Sequence, residues 1–176
     1  FGYSTIYQGN PIDAIIERVP YTILLTISAI VVTVFLGIIG GILAALYYNS
    51  VIDYTISLTV ISIIAIPNFW IGLLLISYFS IELEILPSFG YNGFLSLVMP
   101  TVALAARLIA IVARMTRGVM LEELEKDYVK TAYSKGLSTS KIIIYHVLRN
   151  AMIPIITIIG LETGYLLGGS VVIERL

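Results

Sequence analysis

The sequence predicts an all-α integral membrane protein, a polytopic helical bundle with about four complete spans. Hydrophobic residues make up 59% of the 176-residue chain and charged residues only 12%, against about 25% charged in a soluble domain. That leaves too little polar surface to coat a globule in water. The few charges also leave apolar runs long enough for a helix of roughly 20 residues, the length that crosses a hydrocarbon layer of ~30 Å. A cytosolic enzyme, a disordered segment and a nucleic-acid module are excluded on these grounds. The net charge of −1 offers no bulk attraction to a polyanion, and without cysteine there is no disulfide or thiolate metal site.

The elements follow in order. No residue between Arg18 and Asp53 carries a charge, so a first span is expected over Tyr21 to Leu46. A second charge-free run predicts a span over Tyr54 to Phe79. The third, Leu97 to Met115, is interrupted by Arg107, and the fourth, Ala151 to Leu167, by Glu162. Eight of the ten lysines and arginines lie from Arg107 to Arg149, and none lies between Ile81 and Ser96. Positive charge stays inside, which assigns Gly118–Asn150 to the cytoplasm and Ile81–Ser96 to the outside. Residues 1–19 then form an extracytoplasmic N-terminal segment, ahead of a membrane domain over 20–176. A chain that starts outside without a signal segment reads as part of a longer polypeptide.

Small residues recur at packing intervals. Gly37, Gly41 and Ala45 form one ridge, and Gly160, Gly164 and Gly168 another. Such ridges let backbones approach where lipid supplies no hydrophobic drive between helices.

The segment 118–150 is more than a connector. Leu121, Leu124, Tyr128, Val129 and Ala132 recur near helical spacing, with Glu122, Glu123, Glu125 and Lys126 on other faces. Lys135 followed by Gly136 is a helix stop, and Ser138 is placed to cap a second helix carrying Ile142, Ile143 and Val147. A helix, a glycine-pinned turn and another helix could lie on lipid or dock a partner. Acidic residues and flanking spans argue against DNA.

The stretch Asp127-Tyr-Val-Lys-Thr-Ala-Tyr-Ser-Lys-Gly-Leu-Ser, with His146-Val-Leu-Arg-Asn-Ala-Met-Ile-Pro154, resembles the EAA loop of binding-protein-dependent ABC transporter permeases. Lys130, Thr131 and Ala132 stand where the general loop has E-A-A, and His146 to Arg149 where it has I-x-L-P. These departures are similar to the dipeptide/oligopeptide/nickel branch. Ile66-Pro-Asn-Phe-Trp-Ile-Gly-Leu-Leu, Leu86-Pro-Ser-Phe-Gly-Tyr, Arg18-Val-Pro-Tyr-Thr and Ala113-Arg-Met-Thr-Arg resemble further segments of that branch. The family's first span and its last span after Glu174 have no counterpart here.

The resemblance implies an importer of peptides, or of a related small solute such as nickel. It implies a second permease subunit, cytoplasmic ABC ATPase subunits and an extracytoplasmic solute-binding protein, all in a cell membrane and with no nucleic acid. The chain has no G-x-x-x-x-G-K-[ST] loop, so nucleotide chemistry would belong to the partner, and no cofactor or metal is expected. The expected coupling residues are Lys130, Thr131, Ala132, Gly136 and Leu137. Arg107 and Glu162 sit at similar depth, about 15 Å and 18 Å of helix from the cytoplasmic border. They are expected either to pair or to face one hydrated pathway, because a lone charge there costs at least ~2.5–3.5 kcal/mol. The competing readings are an ion channel or another helical transporter without an ATPase partner, and an intramembrane hydrolase. Irregular arginine spacing weakens the channel. The hydrolase has only His146 to offer as a histidine.

Overall fold

The computed structural model describes residues 11–88, 90 and 93–169, and every regular element among them is helical. In chain order these are α1 (Pro11–Leu46), α2 (Val51–Ala65), α3 (Asn68–Leu75), α4 (Leu95–Leu124), α5 (Asp127–Ser134), α6 (Thr139–Ile142) and α7 (Leu148–Gly169). Wider π-helical turns extend α3 over Ile76–Glu82 and join α6 to α7 over Ile143–Val147. Helix α4 is the centre of the bundle, packed against α1, α2, α3 and α7.

Three helices are long and apolar enough to cross a membrane: Val19–Leu46, Leu95–Leu124 and Thr139–Leu166. Where the second span is expected, the chain forms a bent helix pair, α2 and Asn68–Glu82, turned by 100°. Proline causes the break. Ile66 is extended at φ −93°, ψ 130°, as the residue before Pro67 must tend to be because the proline ring disfavours helical geometry there. The other expected spans are longer than the charge-free runs. Helix α1 starts at Pro11, within the expected N-terminal segment, while its membrane-length apolar stretch starts at Val19; the last span begins at Thr139 rather than Ala151. Residues 1–10 and Glu174, like Phe89 and Tyr91 of the Leu86 segment, lie outside the described residues.

Close packing of α1 on α4 rests on glycine. A Cβ added at Gly37 would lie 2.9 Å from Val112 Cβ, and one at Gly41 would lie 2.4 Å from Thr116 Cβ and 2.6 Å from the Ala113 carbonyl oxygen. Neither site admits a side chain without moving a helix. Below this seam, Ala45, Val112 and Met120 join Val129, Ile142, Val147, Ala151 and Ile155 in one buried cluster. The short α5 is therefore seated on the base of the bundle.

Candidate functional site

The segment linking α4 to α7 is built from two short-range devices. The first ends α5. Gly136 takes φ +76°, its N–H donates to the Tyr133 carbonyl at 2.9 Å, and the Leu137 N–H donates to the Ala132 carbonyl at 3.3 Å. This pair of bonds is the Schellman closure, which needs a left-handed residue one step past the helix and so favours glycine. Ser138 does occupy the N-cap position of α6, but its side chain makes no capping bond. The second helix of the segment is also not separate. Through the π turns of Ile143–Val147 it continues into α7 as one rod.

The second device sets the bend between α4 and α5. Glu123, 8% exposed, accepts from Lys126 Nζ at 2.5 Å and from the Tyr128 hydroxyl at 2.6 Å. The Lys126 ammonium is held above its ordinary pKa by the bond to Glu123. Burial, and then the same carboxylate, push the Tyr128 phenol up, while a bond from Asn150 of α7 opposes them. Tyr128 therefore remains a donor at neutral pH, and the clasp ties α4 to α5. The sequence pattern places Glu123 off the apolar face of one helix that runs from Leu121 to Ala132. The structure instead ends α4 at Leu124 and buries Glu123. Val112, Thr116, Met120 and Glu123 form one buried stripe at helical spacing, but two of its four members are polar, so hydropathy does not single the stripe out.

Of the expected coupling residues, Lys130, Thr131, Gly136 and Leu137 are exposed at the end of the bundle. Ala132 is not. It is 6% exposed and packs into the chain's own core, so it seats α5 rather than presenting a surface. Lys130 donates to Asp127 Oδ1 at 2.8 Å, which raises the lysine pKa and lowers the aspartate's. Both partners are well exposed, and such surface pairs contribute little to stability. Thr131 Oγ1 donates back to the Asp127 carbonyl at 2.9 Å.

Arg107 and Glu162 are not brought together. Arg107 is exposed on α4, Glu162 is half-buried on α7, and no ion pair joins them among the described residues. The ion pair that reaches across the bundle is a different one. Arg117 of α4 donates through Nε to Asp53 Oδ1 at 2.6 Å and through a terminal nitrogen to Oδ2 at 2.8 Å. Asp53 also accepts from the Asn49 N–H at 3.1 Å and from the Ser57 hydroxyl at 3.3 Å. The Arg117 guanidinium lies 5.4 Å from the centre of the Tyr48 ring. Asp53 is the sole charge between Arg18 and Glu82. A lone carboxylate in so apolar a stretch calls for a partner, though its sequence gives no way to choose which.

The short α5, closed by Gly136 and bent away from α4 at Glu123, thus sits between two long apolar helices at one end of the bundle. Residues 37–176 match the model of the family described as binding-protein-dependent transport system inner membrane component. The chain belongs to that family. It is 39% identical over 175 residues to the glutathione transport system permease protein GsiC of Escherichia coli strain K12, an alignment covering 99% of this chain and 57% of the relative. It is 42% identical over 178 residues to the dipeptide transport system permease protein DppB of Bacillus subtilis strain 168, covering 100% of this chain and 58% of the relative. The chain thus spans less than two thirds of these relatives' length. As an inner membrane component with three helices long and apolar enough to cross a membrane, this family member is a multi-pass membrane protein.

Proposed function

We propose that this chain is the membrane-spanning portion of a permease subunit of an ABC importer for peptides, with a related small solute such as nickel as the second choice. The observation that carries the proposal is α5 with its glycine closure, exposed at Lys130, Thr131 and Leu137 and rooted in α4 and α7. In this reading the segment from Lys126 to Ser138 lies in the cytoplasm and rests on an ABC ATPase. A second permease subunit completes the pathway, and a solute-binding protein delivers substrate from outside. The names of the two relatives, one a glutathione and one a dipeptide permease, support peptide-like cargo.

The mechanism is a population shift. ATP binding closes the ATPase pair, and the motor favours one arrangement of the spans only by binding that arrangement better. A stiff handle is needed to carry this bias. The Glu123 clasp and the Schellman closure leave α5 little freedom to move apart from α4 and α7. Arg107 and Glu162, unpaired with each other, are assigned to a hydrated pathway where water or solute offsets their cost.

Thr131→Tyr tests the handle, because it adds bulk on an exposed face without entering the core. At unchanged subunit level and melting temperature, ATPase capture and solute uptake should each fall at least tenfold. Wild-type capture and uptake in that variant would sink the proposal.

A further inference from the structure

A cleft of about 330 Å³ opens beside the Asp53–Arg117 pair, between the α1–α2 turn and the face of α4. Its level in the membrane follows from the helices. Helix α1 ends at Leu46 and α2 starts at Val51, so the turn marks the border of the spans. Arg117, bonded to Asp53 in the first turn of α2, is at that border. Arg114 is one helical turn deeper, about 4.5 Å at 1.5 Å per residue.

The lining changes character across this border. Tyr48, Asn49 and Tyr54 stand at the turn, while Ile56, Val60 and Ile61 wall the part that runs into the membrane. Tyr48 and Tyr54 are more than half exposed, as tyrosines at a headgroup layer commonly are. The charges do not cancel. Both oxygens of Asp53 are taken by Arg117, whereas Arg114 lines the cleft, is exposed, and forms no ion pair among the described residues. One positive charge is left over at the edge of an apolar slot.

We propose that this cleft binds an anionic phospholipid, with the phosphate on Arg114, the glycerol region beside the two tyrosines, and an acyl chain along Ile56, Val60 and Ile61. A soluble anion would use the charge but gain nothing from the apolar wall. A zwitterionic lipid would use the wall but leave the excess charge unmatched. Arginine suits the position because its stem lies along apolar surface while its head reaches the phosphate layer. The inference rests on the membrane location of the chain and not on what the permease carries.

The test uses the intact permease in vesicles of equal parts phosphatidylglycerol and phosphatidylcholine, followed by gentle extraction and native mass spectrometry. Wild type should retain phosphatidylglycerol in preference to phosphatidylcholine. Arg114→Gln should lower that retention about fivefold, the effect of one arginine near an anionic surface, and Arg114→Lys should keep most of it. Ile61→Trp, which fills the wall and leaves every charge in place, should lower it as well. Undiminished retention in Arg114→Gln overturns the site. So does wild-type retention in Ile61→Trp combined with displacement by free glycerol phosphate, the signature of a soluble-anion site. A photo-crosslinking residue at position 61 should label lipid, and labelling of a neighbouring protein subunit instead would also overturn the proposal. Loss of uptake with lipid retention intact bears on transport alone.

Discussion

Gly37 and Gly41 on α1 have the same spacing as Gly160 and Gly164 on α7, yet their surroundings are opposite. The first pair is pressed against α4 so closely that a Cβ at either site meets another atom at 2.9 Å or less, whereas nothing lies within 4 Å of a Cβ built at Gly160 or Gly164. The ion pairs divide in the same way. Asp53 and Arg117 join across the packed side, with the aspartate side chain only 3% exposed. Lys130 and Asp127 pair on the open side, at 71% and 94% exposure. One motif or one charge pair thus has two energetic meanings, set by what stands opposite it.

The largest effect is expected at Asp53. Asp53→Ala strands Arg117 and should cost about 3 kcal/mol, read as a lower melting temperature of the detergent-solubilised protein. Adding Arg117→Met should recover a substantial part of that loss. A double variant as unstable as the single one would show that the aspartate acts mainly by capping the turn at Asn49 and not through Arg117.

Gly41→Ala comes next, at about 1–3 kcal/mol for an overpacked seam. Gly160→Ala should leave stability within about 0.5 kcal/mol of wild type, as for substitutions away from packed features. Equal losses at Gly41 and Gly160 would break the comparison. Glu123→Ala removes the acceptor of two bonds at the base of α5 and should cost about 1–2 kcal/mol. Its mark should be faster amide hydrogen exchange over Asp127–Ser134 than over α4. Lys130→Ala should be the weakest change, with no measurable shift in melting temperature, since both partners of its ion pair already face solvent.

Much of the architecture was legible because the bilayer admits few solutions. Apolar runs bounded by Arg18, Asp53 and Glu82 locate helices without reference to any contact. The stop at Gly136 was also readable, since a left-handed residue after a cation is a local requirement of a helix end. The break at Pro67 could have been read from the same local rule, but the apolar run around it masked the signal. The length of α4 could not. Its extension to Leu124 depends on Met120 and Glu123 finding a core made by Val129, Val147 and Ala151, partners far along the chain.

The site divides along the same line. Exposure of Lys130 and Thr131 agrees with the amphipathic pattern of α5, but the burial of Ala132 depends on the seating of that helix against α4 and α7. Arg107 and Glu162 share a depth, and depth is a one-dimensional quantity that residue counting supplies. Whether two side chains at one depth meet depends on the rotation of each helix about its axis, and here they do not meet.

By itself the sequence determined that this chain lies in a membrane, roughly where its helices run, and where α5 must end, because hydropathy and backbone freedom act within a few residues. Only the tertiary structure decided that Asp53 answers Arg117, that Glu123 holds the bend, and that one glycine ridge is covered while the other stands open. Those outcomes depend on which helix faces which, and that is set by packing between segments distant in the chain.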